Sequence, residues 1–223
     1  MQKFATAAPI STVLNVPAAR VRFIAADRAD TTVEVRPADA AKSRDAKAAE
    51  LVEVVFADGV LRIETPEAQH KALGNSGSVE ITVQLPAGSG VDAKLAAGEL
   101  RSTGRLGDVT VDAAQGPVAL DEAAGAHLTL QDGDITVGRL TGSAELRTQR
   151  GDLTVSEAAH GTLTLNTEKG DITVGAAHGA SATLDASTGY GRVQNTLKNA
   201  DGADAGLNIN ATTTYGDIAA RSL

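Results

Sequence analysis

The chain has 223 residues, 42% of them hydrophobic but only 2% aromatic, with no tryptophan and no cysteine. Its formal net charge of −8 argues against a nucleic-acid backbone or an anionic membrane as partner, because both require clustered Lys and Arg. The missing thiols exclude disulfides, thiolate metal sites and a cysteine nucleophile.

A core with so few rings has to be built from Val, Ile, Leu and Ala, which suits thin stacked layers better than a broad sandwich. The opening Met1-Gln2-Lys3-Phe4-Ala5-Thr6 leads into no uninterrupted apolar run, and no stretch approaches membrane-spanning length. A cytoplasmic location is therefore expected, or an extracellular one if a leader has been removed.

In chain order, residues 11–16, 21–24 and 31–36 read as short strands, with Pro17 forcing an extended or turned chain before the second. Residues 38–49 are rich in Ala, Lys, Asp and Glu without Gly or Pro, which predicts a short helix or a polar loop. Runs at 51–56 and 60–65 flank Ala57-Asp58-Gly59, read as a three-residue hairpin turn with Gly59 at positive φ. Residues 66–77, which include His70 and Lys71, read as a polar loop expected to be mobile. Residues 78–85 alternate apolar and polar as a half-buried strand does, Pro86 ends it, and Gly88-Ser89-Gly90 turns the chain. The expected division is an N-terminal β-hairpin region, 1–90, capping a strand-repeat region, 91–223.

Within that second region one phrase is written three times: Gly133-Asp134-Ile135-Thr136-Val137, Gly151-Asp152-Leu153-Thr154-Val155 and Gly170-Asp171-Ile172-Thr173-Val174. Successive copies lie 18 and 19 residues apart, with a second strand-like phrase between them, as in a solenoid. Alternation puts Leu153 and Val155 on one side and Asp152 and Thr154 on the other. Two inward columns follow, Leu100-Val118-Ile135-Leu153-Ile172-Val193-Ile218 and Val109-Leu128-Ala144-Leu163-Ala182-Leu207, with residues 199–206 as the main insertion. The predicted fold is all-β, a right-handed parallel β-solenoid with coils of 18–19 residues, preceded by an antiparallel hairpin region.

These repeats resemble the putative-adhesin family of bacterial β-strand-repeat proteins, a domain of unknown function. The resemblance covers most of the chain. It includes the strand ending Leu85-Pro86-Ala87-Gly88-Ser89, the phrase Tyr190-Gly191-Arg192-Val193 with its following insertion, and the terminal Thr213-Thr214-Tyr215-Gly216-Asp217-Ile218. It implies a β-solenoid with no established enzymatic activity.

Several residue sets are candidates for chemistry. Asp134, Asp152 and Asp171 stack on one edge, with Asp217 further along, and could hold a divalent cation. The favoured alternative is that each carboxylate binds turn amides beside Arg150 and Lys169. Thr136, Thr154 and Thr173 form an outward column that could order water as an ice-binding face; ordinary β-propensity on a solvated face is favoured. His160 and His178 occupy like places in neighbouring coils, without a third metal ligand. Tyr190 and Tyr215, the only tyrosines, both precede Gly and are expected to stack as a binding patch with Arg192, or to cover the last coil. A β-helical lyase or hydrolase would need an asymmetric cluster of carboxylates and a base, and none is visible. The expected function is therefore non-enzymatic, without cofactor. The chain would be a scaffold or binding module for an unknown protein or cell-envelope component, with end-to-end self-association or divalent-cation binding as alternatives.

Overall fold

The structure is a computed structural model that describes residues 1–66 and 77–223; the side chain of Ala203 also lies outside the description. The loop expected at 66–77 falls, apart from its end residues, outside the described residues. Contacts divide the chain into two compact units, Met1–Gly116 and Pro117–Leu223. Both are built from β-strands, as the alternating apolar positions predict, and no helix among the described residues is long and apolar enough to cross a membrane.

The first unit holds β1 (Gln2–Ala5), β2 (Ser11–Ala26), β3 (Asp30–Pro37), α1 (Ser43–Glu50), β4 (Glu53–Ala57), β5 (Val60–Glu64), β6 (Val79–Pro86), β7 (Gly90–Thr103) and β8 (Arg105–Gln115). Its centre is β2, one 16-residue strand rather than the two short runs expected, because Pro17 falls between its two paired halves without breaking it. The first half of β2 pairs in parallel with β5 and the second with β6, while β7 follows both halves on the other side. Antiparallel pairing, which the sequence reading assigned to this whole region, is confined among the described residues to β1–β3, β3–β6 and β4–β5. The β4–β5 turn has two residues, not three: Ala57 pairs with Val60, and both Asp58 and Gly59 take positive φ, the conformation that lets a tight hairpin follow strand twist.

Polar side chains secure the edges of this unit. Asp45, buried on α1, accepts a hydrogen bond from the Ser78 amide at 3.1 Å, and buried Ser89 Oγ accepts from Ile10 N while donating to Pro86 O. Asp30 lies between Arg28 Nε and Lys3 Nζ, each at 2.8 Å, and these hydrogen bonds, Arg28's first, pull its pKa down to about 2.

The second unit holds β9 (Val118–Asp132), β10 (Ile135–Leu140), β11 (Ala144–Arg150), β12 (Leu153–Ala158), β13 (Gly161–Lys169), β14 (Ile172–Ala176), β15 (Ala182–Tyr190), β16 (Val193–Thr196), β17 (Leu207–Tyr215) and β18 (Ile218–Ser222). Its strands form two parallel ladders. One runs β9, β10, β12, β14, β18, β16, and the other β9, β11, β13, β17, β15. Ile135 pairs with Leu153 and Leu153 with Ile172, so the repeated phrases do lie over one another as the core of a stacked, solenoid-like unit.

Beyond Ile172 the sequential columns fail. Ile172 pairs with Ile218 and Ile218 with Val193, so the last strands of the chain, β17 and β18, lie between β13–β14 and β15–β16. The second column is also shifted: Ala144 pairs with Ala126 and Leu163, and Leu163 with Ile209. Side-chain chemistry explains the exchange. The β17–β18 rung turns Leu207, Ile209, Ala211, Ile218 and Ala220 inward and buries them all. The β15–β16 rung offers only Ala182, Leu184 and Ala186 with Val193 and the amide of Asn195; its oxygen accepts the Leu197 amide, but between two rungs its Nδ2 would be desolvated among apolar side chains. The apolar rung therefore occupies the interior and the polar one the end.

Candidate functional site

The corner that joins the two ladders is built from four residues repeated on every rung. Five corner positions stack in the order Gly133, Gly151, Gly170, Gly216 and Gly191. A Cβ on Gly170 would lie 2.0 Å from the carbonyl oxygen of Gly151, and one on Gly191 would lie 1.9 Å from that of Gly216. No side chain fits there, which is why each phrase opens on glycine.

The next residue in each phrase forms a second column. Asp134 Oδ1 accepts the amide of Asp152 at 2.9 Å, Asp152 Oδ1 that of Asp171 at 2.8 Å, and Asp171 Oδ1 that of Asp217 at 2.7 Å. Asp217 Oδ1 in turn accepts from Arg192 N at 2.8 Å. Each carboxylate thus satisfies a corner amide of the neighbouring rung, so the aspartates bind turn amides between rungs rather than within them. Pro117, which needs no such acceptor, precedes the first rung, and Arg192, which offers none, stands on the last. The Arg192 guanidinium folds back to Asp217 Oδ2 at 3.1 Å, and the Arg192 amide and side chain together hold the Asp217 carboxyl below its usual pKa.

A third column takes the glycine carbonyls. Thr148 donates to Gly133 O at 3.2 Å, Thr167 to Gly151 O at 3.0 Å, Thr213 to Gly170 O at 3.0 Å and Thr188 to Gly216 O at 2.9 Å. The first three hydroxyls belong to buried residues; Thr188, on the end rung, is half-buried.

The fourth column, just before the glycines, carries the candidate binding residues. Arg150 pairs with Asp132 at 2.9 Å, Lys169 Nζ lies 5.9 Å from the centre of the Tyr215 ring, and Tyr215 stacks on Tyr190 with centroids 4.9 Å apart and planes 4° from parallel. Arg150 and Lys169 therefore engage this column and not the aspartates beside them. The column ends at Tyr190, whose outer face carries no other ring or cation among the described residues. Tyr190 and Val193 of the end rung are 70% and 44% exposed, and Tyr215 of the neighbouring rung 50%, the large exposed apolar side chains on the strands of these two rungs.

The other sequence candidates lie apart from this corner. Thr136, Thr154 and Thr173 are paired in one outward row, but Ala219 follows them on the next rung. His160 and His178 are exposed at the opposite turn, and among the described residues no group of three or more His, Asp or Glu side chains is placed to hold a metal ion. The sequence reading missed the corner threonines as hydrogen-bond donors; their signal is Thr recurring three residues before four of the five corner glycines, at Thr148, Thr167, Thr188 and Thr213.

The family model described as Toastrack DUF4097 matches residues 11–222. Among solved structures, a putative adhesin from Bacteroides fragilis NCTC 9343 aligns with a TM-score of 0.59 at 14% identity, over 98% of this chain and 95% of that one. A putative adhesin from Parabacteroides distasonis ATCC 8503 aligns with a TM-score of 0.50 at 13% identity, over 98% and 95%. No curated protein matches the chain.

Proposed function

This chain belongs to the Toastrack DUF4097 family, and from that premise we propose that it is a non-catalytic binding module. Its docking surface is the end-rung corner formed by Tyr190, Tyr215 and Arg192. The observation that carries this reading is the stacked tyrosine pair. Two large rings are held in one geometry by each other and by Lys169, yet remain half or more exposed, so they stabilise the unit little by burial and offer a preorganised contact face. The proposed handedness of the stack is right-handed, with coils of 18–19 residues between the Gly133, Gly151 and Gly170 corners, and the proposed functional division of the chain falls near residue 90. The partner is a protein or cell-envelope component; the likeness to putative adhesins supports a place outside the cell.

One observation favours end-to-end self-association: β15 and β16 each pair on a single side, leaving an open parallel edge. Arg192 weighs against it, because a further rung would find no carboxylate for its corner amide. Divalent-cation binding at Asp134, Asp152 and Asp171 is the weaker alternative, because each of these side chains already accepts an amide and the three do not converge on one point among the described residues.

The test is capture from the native host's envelope and soluble fractions with wild-type protein and with a Tyr190→Ala/Tyr215→Ala double variant. Partners lost from the double variant support the reading. The same partners retained by both proteins overturn it.

A further inference from the structure

We infer that the open face of Tyr190 is a stacking platform for a neutral β-linked polysaccharide, with Arg192 and Gln194 supplying planar polar groups further along the same rung. The inference rests on the end-rung corner being the docking surface, and names what docks there.

An aromatic ring offers its electron-rich face to weakly positive C–H groups. A pyranose with equatorial hydroxyls is its complement, with axial C–H bonds on its flat side and donors and acceptors around its rim. Tyr190 meets the first requirement with a ring whose inner face is already occupied by Tyr215, so little side-chain freedom is lost when a sugar covers the outer one. The rim requirement falls to the next residues of the same rung. Arg192 presents a guanidinium, held by Asp217, and Gln194 an exposed amide, both planar groups suited to vicinal hydroxyls.

Two other occupants fit less well. Another rung, from a second copy or from a partner strand, would bury the Asn195 amide against an apolar face and meet Arg192 where a carboxylate acceptor is needed. A polyanionic chain would approach a protein of net charge −8, with the end-rung guanidinium of Arg192 already paired to Asp217. A neutral, flat and extended ligand avoids both costs.

The composition supplies a direct readout. With two tyrosines and no tryptophan, all the tyrosine emission of the chain comes from this one corner. Tyrosine emission is followed while the full chain is titrated with chitohexaose, cellohexaose and mannohexaose, with hexagalacturonate as the charged comparison. At least one neutral hexasaccharide should give a saturable change. Tyr190→Phe should keep that affinity, and Tyr190→Ala, checked for native circular dichroism and followed by calorimetry, should weaken it by about tenfold or more.

The inference is overturned if no neutral sugar saturates, if Tyr190→Ala binds as wild type does, or if hexagalacturonate binds more tightly. It is also overturned if sedimentation shows self-assembly that Tyr190→Ala dissolves, because a second copy then covers the face. Loss of captured partners in the double variant with no sugar binding removes the polysaccharide alone and leaves the docking surface standing.

Discussion

Two neighbouring rungs of the second unit share a backbone and differ in nearly everything attached to it. The rung closed by Gly216-Asp217 buries Leu207, Ile209 and Ile218, passes its glycine carbonyl to Thr188 and its carboxylate to Arg192. The rung closed by Gly191-Arg192 accepts the same backbone pairing on one side, but leaves Val193 and Tyr190 exposed and offers no carboxylate onward. An interior rung has to satisfy two neighbours, so its corner carries both an acceptor and small apolar fill. An end rung satisfies one, and its remaining positions are free to face solvent or a ligand.

That contrast can be broken most severely at the corner glycines. Gly170→Val forces a side chain into the Gly151 carbonyl at a φ of +152°, and should cost about 3 kcal/mol or more, read as a fall in thermal midpoint. Gly206→Ala, on the insertion with nothing within 4 Å, should leave the midpoint nearly unchanged. Equal losses at the two positions would show that the corners are not close-packed.

Truncation of the apolar columns should separate the rungs more gently. Ile172→Ala, in a fully buried position, should destabilise by about 2–5 kcal/mol, whereas Val193→Ala on the end rung should cost less than about 1 kcal/mol. Chemical denaturation of the two variants measures the difference directly.

The smallest effect is electrostatic, and it compares the end corner with the first unit. Both Asp217 and Asp30 have folded-state pKa values below the ordinary carboxylate value, so the unfolded chain binds their protons first as pH falls. Their contribution is complete above the unfolded pKa of about 4 and is lost as pH falls through the folded value, which for Asp30 is about 2. Asp30→Asn and Asp217→Asn should each flatten the decline of thermal midpoint between pH 5 and 2. A slope identical to wild type in either variant would remove that carboxylate from the acid response.

Much of this was legible in the residues. The period of 18 to 19, the glycine corners, the pairing of Ile135, Leu153 and Ile172, and the stacking of Tyr190 on Tyr215 all follow from repeated phrases and strand alternation. The order of the last rungs did not follow, because counting columns along the chain assumes that chain order is stacking order. Two residues carried the information: Arg192 where four other rungs have Asp, and Asn195 at an inward position where others have an aliphatic. The long β2 was missed for a different reason. Proline reads as a strand breaker, yet Pro17 lies where the strand passes from one paired segment to the next, with Val16 and Ala18 on either side still paired to β7.

The placement of β17–β18 inside the stack sets which residues are terminal, and cysteine cross-linking in this cysteine-free chain tests it most directly. Thr173 and Ala219 are cross-strand partners, as are Ala219 and Gln194, whereas Thr173 and Gln194 lie two rungs apart. Adjacent strands are about 4.8 Å apart, within disulfide reach, and twice that spacing is beyond it. Mild oxidation should close the Thr173→Cys/Ala219→Cys pair and leave Thr173→Cys/Gln194→Cys open. Efficient closure of the second pair and failure of the first would restore the sequential order and take Tyr190 and Arg192 away from the end of the stack.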